Sequence, residues 1–286
     1  LLTEIQGSPI DTFSVQFENK EYDESDAQNK IQKIIKSNHC ALKVSNEDIA
    51  NNFEKAINHS ETHLFRTAPV PMFLLAKQVK ESGHKVVFTG EGADEMLLGY
   101  DIFGETKIRK FWSKFPESKI RPNLLKKLYY YLPQFNNDRY FEITKEFYKK
   151  NLQQNNDSFY SHQVRWDQYS VVRNFFNLED DNFSIKNMKQ LFLNSLPDNF
   201  KDLGTLERAQ LIEINTLLSG YLLSSQGDRM TMAHGVEGRY PYLDDTLTNE
   251  LAKISSKIKS PGLKLKNLLR KSFEGYLPKD IVNRPK

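Results

Sequence analysis

Cysteine and long apolar runs are the features that this sequence most clearly lacks. The single cysteine, Cys40, excludes an intramolecular disulfide framework and a zinc site built from cysteines. The longest apolar run, around Val70–Ala76, is far shorter than the roughly 20 residues that a membrane span needs. We therefore expect a cytoplasmic protein in a reducing environment, with no membrane partner.

An excess of charge of one sign is also missing. The 286 residues include 40 Lys and Arg against 37 Asp and Glu, a formal net charge of +3, and the two signs alternate along the chain. This weak bias gives no reason to expect a nucleic-acid partner. Hydrophobic residues make up 38% and aromatic residues 12%, which is enough to close a core and excludes global disorder.

The first part of the chain alternates between strand-like and helix-like patterns. Short runs rich in β-branched and aromatic residues predict the strands Phe13–Phe17, Ala41–Val44 and His84–Thr89. Helical patterns lie between them, including Pro69–Lys80, and this alternation favours a doubly wound parallel sheet. After Tyr100 the strand signal disappears. We expect an α/β protein with a sheet region over 1–100 and a mainly helical region over 101–286.

The stretch Val86–Tyr100, VVFTGEGADEMLLGY, carries the clearest chemical signal. Ligands of open parallel sheets bind beyond the carboxyl ends of the strands, and glycines there let a ligand approach the backbone. Three acids follow the strand, Glu91, Asp94 and Glu95. Such acids repel one another unless a cation or a cationic side chain joins them, and Mg²⁺ bound with a nucleotide suits this arrangement. A capped helix start with solvated acids is the alternative.

A second stretch, Ser224–Asp244, interleaves charged side chains with apolar residues and glycines. Its charged candidates are Asp228, Arg229, Glu237 and Arg239. This interleaving indicates partial burial and therefore pairing. The four residues belong either to a substrate site or to a structural ion-pair network.

Basic residues at two further places are candidates for binding anions. Arg66 stands just before a predicted helix, where it can clamp a carboxylate or phosphate, or lie on the surface of a loop. The C-terminal stretch carries a basic patch made of Lys264, Lys266, Arg270, Lys271, Arg284 and Lys286. That patch either binds phosphates or forms a solvated face.

Together these stretches resemble one family. TGEGADEMLLGYDIF, DRMTMAHGVEGRYPYLD and KNLLRKSFEGYLPKDIVNRPK are similar, in order and spacing, to the synthetase domain of glutamine-hydrolysing asparagine synthetases. FSVQF, YDES and FRTAPVPMFLLAK fit the same domain, so the resemblance covers essentially the whole chain. It implies an ATP-pyrophosphatase-type parallel sheet, of the adenine nucleotide α-hydrolase-like class, with a mainly helical C-terminal part.

The resemblance also implies a carbon–nitrogen ligase with glutamine as amide donor. In this family the carboxylate of aspartate attacks the α-phosphorus of MgATP, which gives β-aspartyl-AMP and pyrophosphate. Ammonia from glutamine, delivered by an N-terminal glutaminase domain, then displaces AMP. ATP, Mg²⁺, aspartate and that domain are therefore the expected cofactors and partners, and a homodimer is a further possibility.

The family's motifs carry over to individual residues. Val15 matches the adenine-contacting position, and Thr89 with Gly90 matches the ATP-contacting Ser-Gly pair, with Thr in place of Ser. Asp94 matches a Mg²⁺-linked acid. Glu91 matches the glutamate needed to form the acyl-adenylate. The remaining matches are Lys286, for the lysine that meets pyrophosphate, and Lys266 and Arg270, on the K-x-x-L-R pattern.

Two departures from the family bear on activity. The ATP-binding loop, Ser-Gly-Gly-x-Asp-Ser-Ser, and the glutaminase domain with its nucleophilic cysteine are not in this sequence. We therefore expect a synthetase-domain fragment of a longer enzyme, inactive by itself. The sequence leaves two alternatives open. One is a related amide-forming cyclase, similar to β-lactam synthetases or lasso-peptide cyclases, and the other is a non-catalytic nucleotide-binding remnant.

Overall fold

The structure is a computed structural model, and it describes residues 2–18, 23–169 and 184–284. Up to residue 92 the elements are α1 (Leu2–Gln6), β1 (Asp11–Phe17), α2 (Ser25–Ile35), β2 (Asn38–Val44), α3 (Asn46–Ser60), α4 (Pro69–Glu81) and β3 (Val86–Phe88). From residue 93 to 213 they are α5 (Ala93–Met96), α6 (Asp101–Trp112), α7 (Leu124–Leu128), α8 (Asp138–Lys149), α9 (Gln163–Tyr169), α10 (Ile185–Ser195) and α11 (Thr205–Glu213).

A π-helical segment, Ile214–Asp228, follows α11. The later elements are α12 (Arg229–Met232), β4 (Glu237–Arg239), α13 (Asp245–Lys253), α14 (Ser256–Lys259), α15 (Asn267–Ser272) and α16 (Lys279–Val282). Short 3₁₀ turns cover Arg121–Asn123, Pro133–Asn136, Asp198–Asp202 and Pro241–Leu243. No helix of the described residues is both long and apolar enough to cross a membrane.

These elements form two compact units. The first unit consists of Leu1–Gly92 and Asn215–Asp244, and the second consists of Ala93–Ile214 and Asp245–Lys286. Each unit therefore combines stretches that are distant in sequence. The division into a sheet region over 1–100 and a mainly helical region over 101–286 remains a prediction.

The first unit contains both sheets of the described residues, and both are parallel. Strands β1 and β2 pair in register from Asp11 opposite Asn38 to Phe17 opposite Val44. Strands β3 and β4 pair over three residues, from Val86 opposite Glu237. The mixed α/β class and the predicted strand positions are confirmed, although the strands form two separate two-stranded sheets rather than one continuous sheet among these residues.

Strand β4 is a strand that no sequence pattern after Tyr100 predicts. Its sequence, EGR, has no apolar alternation that could predict a strand. Pairing with distant backbone fixes it instead, because Glu237 N donates to Lys85 O at 2.8 Å and Thr89 N donates to Arg239 O at 3.0 Å. Tertiary contacts therefore override the weak local preference of this stretch.

Local sequence signals set the helices that surround these strands. Ser45 caps α3 through a capping box with Asp48. Pro69 is the first residue of α4. Proline is well tolerated at this position, because the first N–H groups of a helix have no acceptor within the helix and the N–H that proline lacks is not needed there. Buried side chains of α3, α4 and α12 pack together in one cluster, which consists of Ala56, Val70, Phe73 and Met230. This cluster is a hydrophobic core of the first unit.

Aromatic and leucine side chains close the helical second unit. Trp112 of α6, 1% exposed, packs with buried residues of α7 and α8. A buried carboxylate, Glu105, is bonded by Arg165 at 2.6 Å and by the hydroxyl of Tyr129. Arg109, also 1% exposed, donates to backbone carbonyl oxygens. These charges are paired or hydrogen-bonded, as buried charges must be.

Candidate functional site

Thr89 and Gly90 directly follow the carboxyl end of β3, where parallel sheets bind ligands. The Thr89 N–H continues the pairing with β4, whereas its buried Oγ1 has no hydrogen-bond partner among the described residues. A buried hydroxyl without a partner is unfavourable unless a ligand or water supplies one. Gly90 is exposed, and a Cβ added there would meet no heavy atom within 4 Å. The end of β3 thus offers a hydroxyl and an open stretch of backbone.

The turn that follows Glu91 requires a glycine at position 92. Its φ of +88° lies in the left-handed region, and a Cβ there would lie 2.3 Å from Leu243 Cδ2. No other residue type fits this position without displacing Leu243. The half-buried Glu91 is thereby held in the turn that follows β3.

Tyr240 is a residue of this region that sequence reasoning missed. Its hydroxyl donates to Asp228 Oδ1 at 2.6 Å. Burial raises the pKa of Tyr240 well above its usual value. The hydrogen bond to Asp228 is the second cause of this increase, and the negative charge of Glu91 makes a smaller contribution. Tyr240 therefore stays a hydrogen-bond donor at neutral pH. Tyr240 is part of the GRYPYLD stretch, and the presence of that stretch among the motifs of the family resemblance could have identified it as a candidate.

The charged candidates of the second stretch each have a separate partner. Asp228 accepts from Tyr240, and Arg229 forms an ion pair with Glu61. Glu237 and Arg239 pair with each other along β4 at 2.8 Å, with more than half of each side chain exposed. The structure therefore holds these four residues in three contacts rather than in one network.

Arg66 is held by aromatic residues. Its Nε donates to the Tyr221 hydroxyl at 2.9 Å, and its guanidinium lies 4.4 Å from the centre of that ring. The Phe65 ring lies 5.4 Å from the same guanidinium. Stacking of this kind orients a guanidinium and leaves its terminal N–H groups available to an anion.

Val15 lies on β1, opposite Leu42 of β2. The Gln28 amide donates to Val15 O at 3.3 Å and accepts from Ser14 Oγ at 2.9 Å. His39 Nε2 lies 3.0 Å from the same Ser14 oxygen. Polar side chains that the sequence analysis did not single out therefore surround the expected adenine-contacting strand.

Asp94 lies in the second unit, in the first turn of α5. Lys266 Nζ lies 2.9 Å from Asp94 Oδ1, and both side chains are about a quarter exposed, 28% and 23%. No group of three or more His, Cys, Asp or Glu among the described residues could hold a metal ion by itself. Asp94 therefore fits a cation only as one carboxylate ligand beside oxygens of another molecule, which is how Mg²⁺ binds with nucleotides.

Glu95 does not share the exposed rim expected for the three acids. It is 1% exposed, and the Tyr100 hydroxyl donates to its Oε1 at 2.7 Å. Burial raises the pKa of Glu95 above the usual carboxyl value. The reason is helical geometry, because successive residues of α5 point about 100° apart, which turns Glu95 away from Asp94 and into the core.

The other C-terminal candidates stand near the end of the described chain. The Arg270 guanidinium donates to Val282 O at 2.7 Å and to Arg284 O at 3.0 Å. Arg270 therefore ties α15 to the segment after α16. Lys286, predicted to meet pyrophosphate, lies outside the described residues.

Known proteins are similar to this sequence over nearly all of its length. The profile of the family described as asparagine synthase matches residues 1–286. Asparagine synthetase (glutamine-hydrolyzing) 1 of Bacillus subtilis is 26% identical over 277 residues, which are 97% of this chain and 42% of that protein. A putative asparagine synthetase (glutamine-hydrolyzing) of Mycobacterium bovis is 24% identical, over 96% of this chain and 40% of that protein.

A relative with a different name has a comparable similarity. The amidase chyE of Penicillium rubens is 25% identical over 296 residues, which are 96% of this chain and 42% of that protein. The chain thus spans about two fifths of the length of these curated relatives.

Proposed function

Because the chain belongs to the asparagine synthase family, we propose that it is the synthetase domain of a glutamine-hydrolysing asparagine synthetase. The observation that carries the proposal is the position of Thr89 and Gly90 directly after β3, in a chain that the family profile matches throughout. We further propose that the parallel strands belong to a sheet of the ATP-pyrophosphatase type, and that the protein acts in the cytoplasm in asparagine biosynthesis.

The proposed reaction joins two anions and therefore needs positioning and positive charge. The side-chain carboxylate of aspartate attacks the α-phosphorus of MgATP, which forms β-aspartyl-AMP and breaks the bond to pyrophosphate. Ammonia then attacks the acyl carbon, and AMP leaves with the electron pair of the broken bond. Asparagine, AMP and pyrophosphate are the products.

The described residues support this chemistry at the nucleotide. The buried Thr89 hydroxyl is available to a phosphate oxygen, and the open backbone at Gly90 lets the phosphates approach. Val15 contacts the adenine in this proposal. Asp94 supplies one carboxylate to the Mg²⁺ that ATP carries, since Mg²⁺ bound to a nucleotide keeps phosphate and water oxygens as its other ligands.

Two further residues have roles at the reacting groups. Glu91 orients the aspartate carboxylate or accepts a proton from the incoming ammonia, as a carboxylate near the reacting atoms can. Arg66 binds a carboxylate of aspartate, because its stacked guanidinium keeps terminal N–H groups available. Lys286 meets the departing pyrophosphate.

The complete enzyme includes parts beyond these 286 residues in this proposal. The relatives are more than twice as long as the matched part, which supports an additional glutaminase domain as the source of ammonia. The ATP-binding loop and that domain are then needed for turnover. A homodimer is the proposed assembly of the complete protein.

A related amide-forming ligase with another acceptor is the second candidate function. This candidate is supported by the similarity of 96% of the chain to a relative that is named an amidase rather than an asparagine synthetase. Cyclases similar to β-lactam synthetases or lasso-peptide cyclases activate a different carboxylate by the same adenylation. A non-catalytic remnant that only binds nucleotide is a further alternative.

ATP–pyrophosphate exchange tests these functions. A protein that carries this chain with the ATP-binding loop and glutaminase domain is incubated with ATP, labelled pyrophosphate and one acid at a time. Exchange that depends on aspartate supports the asparagine synthetase. Exchange with another carboxylate alone supports the second candidate, and nucleotide binding without exchange for any acid supports the remnant.

A further inference from the structure

A cavity with a mainly apolar wall lies within the second unit. It is formed by α6, α7, the start of α11 and the segment 255–263, and has a volume of about 930 Å³. Sites for small molecules in proteins have volumes of about 300–1,000 Å³ and mostly apolar linings. The apolar lining residues of this cavity are Ile108, Phe111, Leu124, Leu206, Pro261 and Leu263. None of the residues that line it is a sequence-predicted site residue. The cavity therefore offers a small organic molecule an apolar surface that the proposed reaction does not use.

The charged residues of the same wall are mostly lysines. Its basic lining residues are Lys107, Lys110, Lys114 and Lys257. The first two lie one turn apart on α6, which places them on the same face of that helix. Glu207 is the one acid among the lining residues that the structure describes. A wall with four ammonium groups and a single carboxylate attracts ligands that carry negative charge.

Lys107 carries a charge that no acid of the described residues neutralises. Its ammonium donates to Ser260 Oγ at 2.8 Å and to Gly262 O at 3.1 Å, which orient the group without cancelling its charge. Burial lowers the pKa of Lys107 to about 8. An anion in the cavity would supply a counter-charge and would stabilise the charged form of this amine.

The other three lysines of the wall also lack a counter-charge among the described residues. Lys110 Nζ donates to the neutral hydroxyl of Thr205 at 2.8 Å. Lys114 and Lys257 are exposed, and their ammonium groups make no hydrogen bond or ion pair with the described residues. Glu207 lies in the first turn of α11, where the helix dipole stabilises its carboxylate without a lysine. Positive charge is therefore available to a ligand next to the apolar surface.

We propose that this cavity binds a small amphiphilic anion, which is a molecule with an apolar chain or ring and one carboxylate or similar anionic group. The apolar part packs against the leucines and Phe111, and the anionic group meets the lysine ammonium groups. An inorganic anion would leave the apolar side chains without a partner, whereas an uncharged apolar molecule would leave the ammonium groups without one. An amphiphilic anion satisfies both parts of the wall. The proposal rests on the cavity and not on the proposed function.

Calorimetric titration of the 286-residue chain with three ligands tests the proposal. Octanoate has an apolar chain and a negative charge, 1-octanol has the chain alone, and acetate has the charge alone. We expect one octanoate to bind per chain, saturably, with a Kd of about 0.1–1 mM. 1-Octanol should bind about threefold more weakly, because it makes no ion pair with a lysine. Acetate should bind more weakly by about tenfold or more, because it has no chain to bury.

A double variant tests the contribution of the lysines. Lys114→Ala/Lys257→Ala should weaken the binding of octanoate about fivefold, since two charge contacts are lost, and should change the Kd of 1-octanol less than about twofold. The matched control Lys150→Ala/Lys186→Ala removes the same net charge from exposed positions outside the cavity. It should change the Kd of either ligand less than about twofold.

A single variant tests the contribution of the apolar wall. Phe111→Ala removes an apolar side chain that lines the cavity, so it should weaken octanoate and 1-octanol alike, by about threefold. Phe115→Ala is its matched control. Phe115 stacks on the guanidinium of Arg121 at 4.1 Å, as Phe111 does at 4.0 Å, but it does not line the cavity. This control should leave both Kd values nearly unchanged.

Several results would overturn the proposal. They are the absence of saturable octanoate binding, acetate or 1-octanol that binds as tightly as octanoate, and equal weakening by a variant and its control. A glutamate-rich peptide that binds where octanoate does not would identify an acidic protein segment as the occupant and would overturn it as well. Melting temperatures show whether each variant folds, and the comparison of the three ligands needs no variant. The titrations contain neither ATP nor aspartate, so failure of the proposed function would leave their results unaffected.

Discussion

Lys266 and Asp94 form an ion pair of 2.9 Å that fits closely against a glycine. The glycine is Gly99, where an added Cβ would lie 2.0 Å from Asp94 Oδ1 and 2.3 Å from Lys266 Cε. The glycine of the LLGY stretch is thus explained by the contact between two side chains that are distant in sequence. The ion pair also connects α5 with the start of α15.

Substitution Gly99→Ala should therefore destabilise the second unit. The added methyl group must displace both partners of the ion pair, and overpacking of this kind costs about 1–3 kcal/mol. Urea unfolding measures the difference. Gly90→Ala is the matched control, since a Cβ at Gly90 meets nothing within 4 Å, and it should leave the free energy of unfolding nearly unchanged. Equal stability of Gly99→Ala and the parent would show that the pair adapts freely.

Substitution Asp94→Asn should impair adenylation in a protein that carries this chain with the ATP-binding loop. The variant keeps the shape of the side chain but removes the charge proposed to face Mg²⁺. A tenfold or greater loss of aspartate-dependent ATP–pyrophosphate exchange is expected, which corresponds to about 1.4 kcal/mol or more. Asp138→Asn, an exposed acid of the same unit, serves as control. Unchanged exchange in Asp94→Asn would contradict a metal-linked role.

Glu91→Gln should lower turnover more than nucleotide affinity. A carboxylate that acts on the reacting carboxylate or on ammonia contributes to the chemical step, so the loss should appear in kcat while the Kd for MgATP changes only a few-fold. The rate of conversion of aspartate to asparagine gives kcat, and titration of the same variant with MgATP gives the Kd. Glu47→Gln, which alters an exposed glutamate of the first unit, should change neither. A collapse of ATP affinity in Glu91→Gln would instead place Glu91 at the phosphates or the metal.

The sequence predicted those parts of the fold that local patterns determine. Strands β1, β2 and β3 lie where apolar and β-branched runs predict them, and α4 lies where the helical pattern Pro69–Lys80 predicts it. Strand β4 could not be predicted, because only its pairing with β3 makes EGR a strand. Local patterns act within a few residues, whereas that pairing joins residues about 150 positions apart.

The same limit applies to the candidate site. The GEGADE motif identified Asp94 and Glu95 as acids after a strand, but it carries no information on which side chain turns inward. Only the packed structure buries Glu95 against Tyr100 and gives Asp94 a lysine partner from α15. Contacts between distant segments therefore decided what the motif left open.

The buried Glu95 carboxyl should make stability depend on pH. Burial raises its pKa in the folded state above the unfolded value, so its protonated form stabilises the fold at acid pH, and this contribution is lost as pH rises through the folded-state pKa. Glu95→Gln imitates the protonated form and can still accept the Tyr100 hydrogen bond. The variant should be more stable than the parent at pH 7 and equally stable below pH of about 4. Urea unfolding of both proteins between these pH values is the measurement, and a variant less stable than the parent at pH 7 would contradict it.

The isolated 286-residue chain should bind MgATP weakly and make no asparagine. In the family that the sequence resembles, the phosphates rest on the Ser-Gly-Gly-x-Asp-Ser-Ser loop, which is not in this sequence. The proposed nucleotide contacts Val15, Thr89 and Gly90 supply a hydroxyl and open backbone, which are not by themselves a cradle of N–H groups for a polyphosphate. Glu91 adds negative charge close to that backbone, which opposes an incoming triphosphate. Calorimetry with MgATP, followed by an assay with aspartate and ammonium, checks both statements. Micromolar affinity that Thr89→Ala abolishes, or asparagine above a no-enzyme control, would show that the residues after β3 suffice without the loop.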